Sequence, residues 1–143
     1  MEGQGLLVIS HHHRERLLEL AQQGLPDEIG GLLFGRVRPG LWSVRTLVPM
    51  ENIEASPTSF AIDPLEQSAA LHGARGAGSQ FLGSYHSHPL GPAWPSLKDV
   101  ERAFDPSLIH LIISLQNKEI RAFFIKADQI EEITIQWEDR VGT

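Results

Sequence analysis

Short apolar segments separated by turn residues alternate along this chain with segments of helical periodicity, and this order constrains the fold more than any other feature. Apolar runs bounded by glycine, proline and polar residues are typical of strands, whereas leucine and alanine at three- and four-residue spacing are typical of helices. Strands are predicted over residues 6–9, 29–37, 42–48, 81–86, 108–115, 120–127 and 130–137, and helices from Ser10, Asp63 and Ser96 to about residues 24, 74 and 104. Because several links are short enough for hairpins, we expect an α/β (α+β) fold with a mixed β-sheet flanked by helices.

The size and charge of the chain indicate what kind of protein it is. Its 143 residues, 41% of them hydrophobic, predict one globular domain over residues 1–143 with a sizeable core. Twelve Lys and Arg against eighteen Asp and Glu give a formal net charge of −6. This balance argues against a nucleic-acid-binding protein, since that function favours a basic surface.

The chain contains no cysteine, which excludes disulfides, a cysteine nucleophile and thiolate metal ligands. No apolar run approaches the roughly 18 residues needed to span a bilayer. Residues 1–10 also lack the basic start and long apolar stretch of a signal peptide. These features predict a cytoplasmic protein, in which any bound metal is held by imidazole or carboxylate groups.

Residues 85–99, YHSHPLGPAWPSLKD, concentrate the side chains that carry chemistry. His86 and His88 are predicted at the end of a strand, where side chains two residues apart point to the same face. A loop rich in glycine and proline then turns the chain, and Asp99 falls in the first turn of the next helix. Two imidazoles and a carboxylate with an open fourth position are typical of catalytic Zn²⁺, although Fe²⁺, Co²⁺ and Mn²⁺ accept the same ligand types.

A metal held by these three residues would favour hydrolysis, because a bound zinc lowers the pKa of water to about 7. Hydrolysis also needs a general base and a donor for the developing oxyanion. Ser96 is a candidate donor, and the base must come from another part of the chain. A second interpretation needs no metal, since Ser96-Leu-Lys-Asp99 also fits a helix capping box.

The pattern H-x-H-P-x(6)-S-x(2)-D, which begins at His86, resembles the signature of the JAMM (MPN+, Mov34/Pad1) metalloprotease family. Residues 27–35, DEIGGLLFG, are similar to the upstream E-x-x-G-x-L-x-G segment of that family, and residues 49–64 resemble the middle segment of its small prokaryotic members. The resemblance covers roughly residues 6–127. One departure is Gly30, where many relatives have cysteine.

The resemblance implies a JAMM/MPN domain of the cytidine deaminase-like fold and gives roles to five residues. His86, His88 and Asp99 are similar to the zinc ligands of the family. Glu28 resembles the general acid/base that passes a proton from water to the leaving amine, and Ser96 resembles the donor that steadies the tetrahedral intermediate. Inactive members that serve as scaffolds have lost some of these residues, so the complete set implies an active zinc metallopeptidase.

Family members cleave amide or isopeptide bonds after the C-terminal glycines of ubiquitin or ubiquitin-like proteins. The small prokaryotic type implies, as partner, a ubiquitin-like sulfur-carrier protein with a C-terminal Gly-Gly tail. Such a tail has no side chains, so we expect backbone pairing at a sheet edge to hold it. Two alternatives stay open: a non-catalytic MPN-type interaction domain with a structural metal site, and a RadC-like metallohydrolase of unknown substrate.

The other histidines and Trp94 have simpler interpretations. Residues 11–13, HHH, fit an ordinary polar helix start, and His72 fits a helix surface. His110 lies in an apolar strand and is predicted to be structural rather than a fourth metal ligand. Trp94 either lines a substrate groove or covers the loop in which it lies.

Overall fold

Seven strands and three helices form the part of the chain that the computed structural model describes, residues 5–139. In chain order they are β1 Leu6–Ser10, α1 His11–Gln23, β2 Gly30–Arg38, β3 Leu41–Met50, α2 Pro64–Gly76, β4 Gln80–His88, α3 Leu97–Glu101, β5 Ile109–Ser114, β6 Glu119–Lys126 and β7 Gln129–Glu138. This is the predicted order of elements; the ends of the predicted domain, residues 1–4 and 140–143, lie outside the described residues. None of the described helices is long and apolar enough to cross a membrane.

The described strands join one sheet that closes on itself in the order β1-β3-β2-β4-β5-β6-β7. β1 pairs in parallel with β3 on one side and with β7 on the other, and β4 pairs in parallel with β5. The remaining pairs are antiparallel, so the predicted mixed sheet is confirmed. Its closure into a barrel follows from no local pattern, because it depends on pairing between the two ends of the chain.

Helix α1 closes one side of the main core. Its buried residues are Leu17 and Ala21, and they pack in one cluster with Leu7 and Ile9 of β1. The Ser10 side chain accepts a hydrogen bond from a backbone N–H in the first turn at 3.0 Å. The predicted N-cap of α1 is therefore confirmed, and it joins this helix directly to the end of β1.

Helix α3 is shorter than predicted. The expected end near Phe104 is wrong, because the helix ends at Glu101 and Arg102 is its C-cap. The Arg102 guanidinium reaches away from the helix to the Glu54 carboxylate, and Pro106 restricts the residue that precedes it. The early end leaves residues 102–105 free to line a groove beside the candidate site.

Candidate metal centre and catalytic site

The end of β4 carries the two histidines of the candidate site. His86 and His88 lie on the same face of the strand, as predicted, and each is only 7% exposed. Their Nε2 atoms are 3.2 Å apart, with the rings inclined at 61° to each other. Two ring nitrogens therefore point to the same small volume.

The loop after β4 fixes the ring of His88. Its Nδ1 atom lies 2.9 Å from the carbonyl oxygen of Pro92. Because a carbonyl oxygen only accepts, Nδ1 carries a proton and donates it, so Nε2 is the ring nitrogen left to face a metal. Metal-binding histidines are commonly oriented by such a backbone carbonyl.

Asp99 brings a carboxylate to the two imidazoles. Its Oδ1 atom is 3.1 Å from Nε2 of His86, and its Oδ2 atom is 3.1 Å from Nε2 of His88. Oδ2 also accepts a hydrogen bond from the Ser96 N–H at 2.9 Å, and Ser96 Oγ accepts one from the Asp99 N–H at 3.1 Å. The capping box is thus present together with the three-residue cluster, and it aims Asp99 at the histidines.

The spacing of these three side chains fits a tetrahedral metal. Bonds of about 2.0–2.1 Å at tetrahedral angles place ligand atoms about 3.3 Å apart. The two Nε2 atoms are 3.2 Å apart, and each has one carboxylate oxygen of Asp99 at 3.1 Å, Oδ1 for His86 and Oδ2 for His88. Among residues 5–139, His86, His88 and Asp99 are the group of potential ligands whose donor atoms come together in this way. The residues present therefore fit a divalent metal such as Zn²⁺.

The electrostatics of the cluster favour a positive charge at its centre. Burial acts to raise the pKa of Asp99, but hydrogen bonds from His86 and His88 outweigh it and hold that pKa well below its usual range. Burial acts to lower the pKa of His88, but hydrogen bonds with Asp99 and with the Pro92 carbonyl raise it. An ionised carboxylate facing two imidazoles is ready to receive a cation.

Glu28 lies across from the histidines, just before β2. Strand β2 pairs with β4 so that Gly30 is opposite His86. The Ser87 N–H donates to the Ile29 carbonyl at 2.8 Å, which extends this pairing by one residue. By this register Glu28 lies opposite His88, and directly opposed residues of antiparallel strands share a face. Glu28 is 5% exposed, so the candidate general acid/base is buried beside the candidate metal ligands.

Burial changes the acidity of Glu28. It raises the pKa of the carboxyl group to about 7, although His86 and His88 act to lower it. A cation held by the neighbouring ligands would lower this pKa again. A carboxyl group that titrates near neutrality can accept and release a proton under physiological conditions.

The Ser96 hydroxyl keeps its donor capacity. Its oxygen accepts the hydrogen bond from the Asp99 N–H that caps α3. A hydroxyl group can donate one hydrogen bond while it accepts, so capping leaves the O–H proton available. Ser96 is exposed, and a group bound beside Asp99 can receive this proton as a hydrogen bond.

A groove with a volume of about 390 Å³ adjoins the cluster, with His86 and Asp99 in its lining. Its apolar walls include Phe60, Phe81 and Phe104. An extended peptide segment can lie in such a groove with its backbone next to the metal ligands.

The structure separates the other predicted residues from the metal cluster. His110 lines the same groove but is not part of the three-residue group of potential ligands. Trp94 packs edge-on against Phe123 at 5.1 Å, and the Arg121 guanidinium lies over its ring at 5.2 Å. Trp94 therefore packs on β6 and is not among the residues that line the groove.

Two supporting residues were missed by the sequence analysis. Ser87, between the histidines, is fully buried, and its Oγ accepts a hydrogen bond from the Ile29 N–H at 2.8 Å. Asn52 donates from its side chain to the carbonyl oxygen of Glu28 at 3.0 Å. The only signals for these roles were the position of Ser87 between two ligands and that of Asn52 in a segment of family resemblance, and neither identifies a hydrogen-bond partner.

Comparison with known proteins gives consistent matches over most of the chain. The family described as prokaryotic homologs of the JAB domain matches residues 10–126. A protein of Haloferax volcanii named desampylase is 31% identical, over 90% of this chain and 94% of its own, and a Mycobacterium tuberculosis protein named CysO-cysteine peptidase is 29% identical, over 89% and 88%. The solution structure of a Desulfitobacterium hafniense protein, 39% identical, covers 94% of each chain with a TM-score of 0.87. The matched range contains every residue of the candidate site.

Proposed function

Because the chain belongs to the family of prokaryotic homologs of the JAB domain, we propose that it is a zinc metallopeptidase that hydrolyses the amide bond after the C-terminal Gly-Gly of a ubiquitin-like sulfur-carrier protein. The observation that carries this proposal is the convergence of His86, His88 and Asp99 opposite a buried Glu28. The names desampylase and CysO-cysteine peptidase support a peptidase over the non-catalytic and RadC-like alternatives. The proposal includes the predicted single domain over residues 1–143 and the predicted cytoplasmic location.

In the proposed reaction, His86, His88 and Asp99 hold the zinc ion. When bound, zinc supplies the charge that polarises the substrate carbonyl and lowers the pKa of water to about 7. Glu28 takes a proton from the attacking water and delivers it to the leaving amine. Ser96 donates a hydrogen bond to the oxyanion of the tetrahedral intermediate. The products are a carrier ending in a free glycine carboxylate and the released amine.

The groove supports a polypeptide substrate. Its apolar walls, which include Phe60, Phe81 and Phe104, suit apolar side chains of an extended polypeptide, and His86 and Asp99 lie in the lining of the same groove.

Incubation of the zinc-loaded protein with sulfur-carrier proteins that bear a C-terminal adduct tests this function. Mass spectrometry is expected to show loss of the adduct and a new terminus at Gly-Gly. Carriers in which Gly-Gly is replaced by Ala-Ala serve as the matched control and should be cleaved far more slowly, because the proposed specificity is for a tail without side chains. If none of the adduct-bearing carriers is cleaved, the proposed substrate is wrong.

Ser96→Asp is expected to lower kcat by about 10²–10³-fold, the usual cost of losing one oxyanion donor. Aspartate keeps the oxygen that caps α3 but has no proton to donate when ionised. Zinc content and KM should change little, and Ser96→Thr, which keeps the hydroxyl, should retain most of the activity. Steady-state kinetics with metal analysis measure these quantities. Wild-type kcat in Ser96→Asp would mean that Ser96 only caps the helix.

A further inference from the structure

Glu28 lies outside the regular strand pairing, so other contacts fix its main chain. On the side of β4, the N–H of the next residue donates to Ser87 Oγ at 2.8 Å. On the opposite side, the Glu28 N–H donates to the Ser56 carbonyl at 2.9 Å, and the Glu28 carbonyl accepts from the Asn52 side chain at 3.0 Å. The irregular segment of residues 52–61 therefore holds the main chain of the proposed proton carrier.

Asn52 uses the full hydrogen-bonding capacity of its amide. Its Nδ2 atom donates to the carbonyl oxygens of Glu28 at 3.0 Å and Ser59 at 2.9 Å. Its Oδ1 atom accepts from the N–H groups of Glu54 at 3.1 Å and Ala61 at 3.2 Å. An amide side chain has two donor hydrogens and two acceptor lone pairs, so this half-buried group has one fixed orientation.

Residues 52–61 contain no helix or strand, and half of them are exposed. The far end of the segment, Phe60 and Ala61, lines the groove beside the metal ligands. A segment without strand pairing takes its conformation from turns and side-chain contacts. Asn52 contacts the beginning and the end of the segment as well as Glu28, and so it connects the groove wall to the proton carrier.

We propose that Asn52 is a positioning residue for the reaction, which keeps the Glu28 main chain in register with the metal ligands and fixes the groove wall to the same point. This inference rests on the proposed function for its kinetic consequence. Proton transfer requires hydrogen-bond reach, and a displacement of about 1 Å can cost about a hundredfold in rate. Asn52 acts through Glu28 and does not itself contact the reacting atoms.

Asn52→Asp tests the proposal, because aspartate keeps the size and the acceptor of asparagine but places an oxygen against the carbonyl groups of Glu28 and Ser59. We expect kcat to fall by about tenfold to a hundredfold, with unchanged zinc content and a smaller change in KM. If the aspartate variant does not fold, Asn52→Ala, which adds no charge, replaces it, and its kcat is also expected to fall. Thr58→Ala is the matched control, since it removes only an exposed hydroxyl contact with Ser56 in the same segment, and its kcat should stay at the wild-type value.

Amide hydrogen exchange supplies a readout that does not depend on activity. Exchange at the Glu28 and Ala61 N–H groups should become faster in the Asn52 variants and stay slow in Thr58→Ala. If the Asn52 variants unfold at lower temperature but keep wild-type kcat and slow exchange at Glu28, Asn52 only stabilises the loop and the proposal is overturned. If the wild type cleaves no carrier, the proposed function fails, and the exchange rates still decide whether Asn52 positions Glu28.

Discussion

Glu28→Gln is expected to abolish most hydrolysis while leaving the metal bound. Glutamine has the size of glutamate and can form hydrogen bonds in the same place, but it cannot take a proton from water. General acid–base groups contribute about 10²–10⁴-fold to rate, and a loss of that order is expected in kcat, with little change in KM. Cleavage rates and the zinc content per chain measure the two halves of this prediction.

The same substitution should not weaken the fold. Burial raises the pKa of Glu28 from its ordinary 4.5 to about 7, so the folded state disfavours the charged form relative to the unfolded chain. The contribution of this carboxyl group to stability therefore falls as pH rises from about 4.5 through about 7, and a neutral glutamine avoids that loss. At about pH 8, metal-free Glu28→Gln should unfold at the wild-type temperature or above it.

Glu51→Gln is the matched control, because it neutralises an exposed carboxylate in the neighbouring segment. It should keep wild-type cleavage, zinc content and unfolding temperature. Full activity in Glu28→Gln would contradict the role of Glu28 as proton carrier and would require another group to move the proton.

Local features of the sequence specified much of the site. Two histidines at alternate positions of a strand share a face wherever the sheet lies, so the pairing of His86 with His88 was predictable from spacing alone. Ser10, Asp63 and Ser96 were recognisable N-caps, because the capping hydrogen bond joins residues close in sequence, and all three side chains accept it.

Features that depend on distant contacts were not predictable in this way. Strand β1 closes the barrel by pairing with β7, and its register is set by the whole sheet. The position of Glu28 opposite His88 follows from the β2–β4 register, and before the fold was known only family resemblance indicated it. The hydrogen bonds of the Asn52 side chain converge only when residues 52–61 fold back on Glu28.

Asp99 shows why two interpretations of one motif need not compete. The capping box and the metal cluster were alternatives at the level of sequence, since either explains the spacing of Ser96 and Asp99. A carboxylate has two oxygens with several lone pairs, and here Oδ1 faces His86 while Oδ2 serves both His88 and the Ser96 N–H. The cap therefore holds the proposed third metal ligand in place.

Asp99→Asn separates these two roles and is expected to remove both zinc and activity. Asparagine can still accept the hydrogen bond from the Ser96 N–H, so the start of α3 should persist. It lacks the negative charge that faces the two imidazoles, and metal affinity depends on that charge. Water activation and carbonyl polarisation both depend on the metal. The loss of activity in Asp99→Asn should therefore be larger than the loss of about 10²–10⁴-fold expected in Glu28→Gln.

The decisive measurement is thermal unfolding of Asp99→Asn with and without added zinc, together with its cleavage rate. A ligand that binds only the folded state raises its stability, so zinc should raise the unfolding temperature of the wild type but not of this variant. Asp63→Asn makes the same chemical change at the N-cap of α2, away from the cluster, and should leave zinc binding and cleavage intact. If Asp99→Asn responds to zinc like the wild type and still cleaves, Asp99 is only a capping residue. The two histidines would then need a third metal ligand other than Asp99.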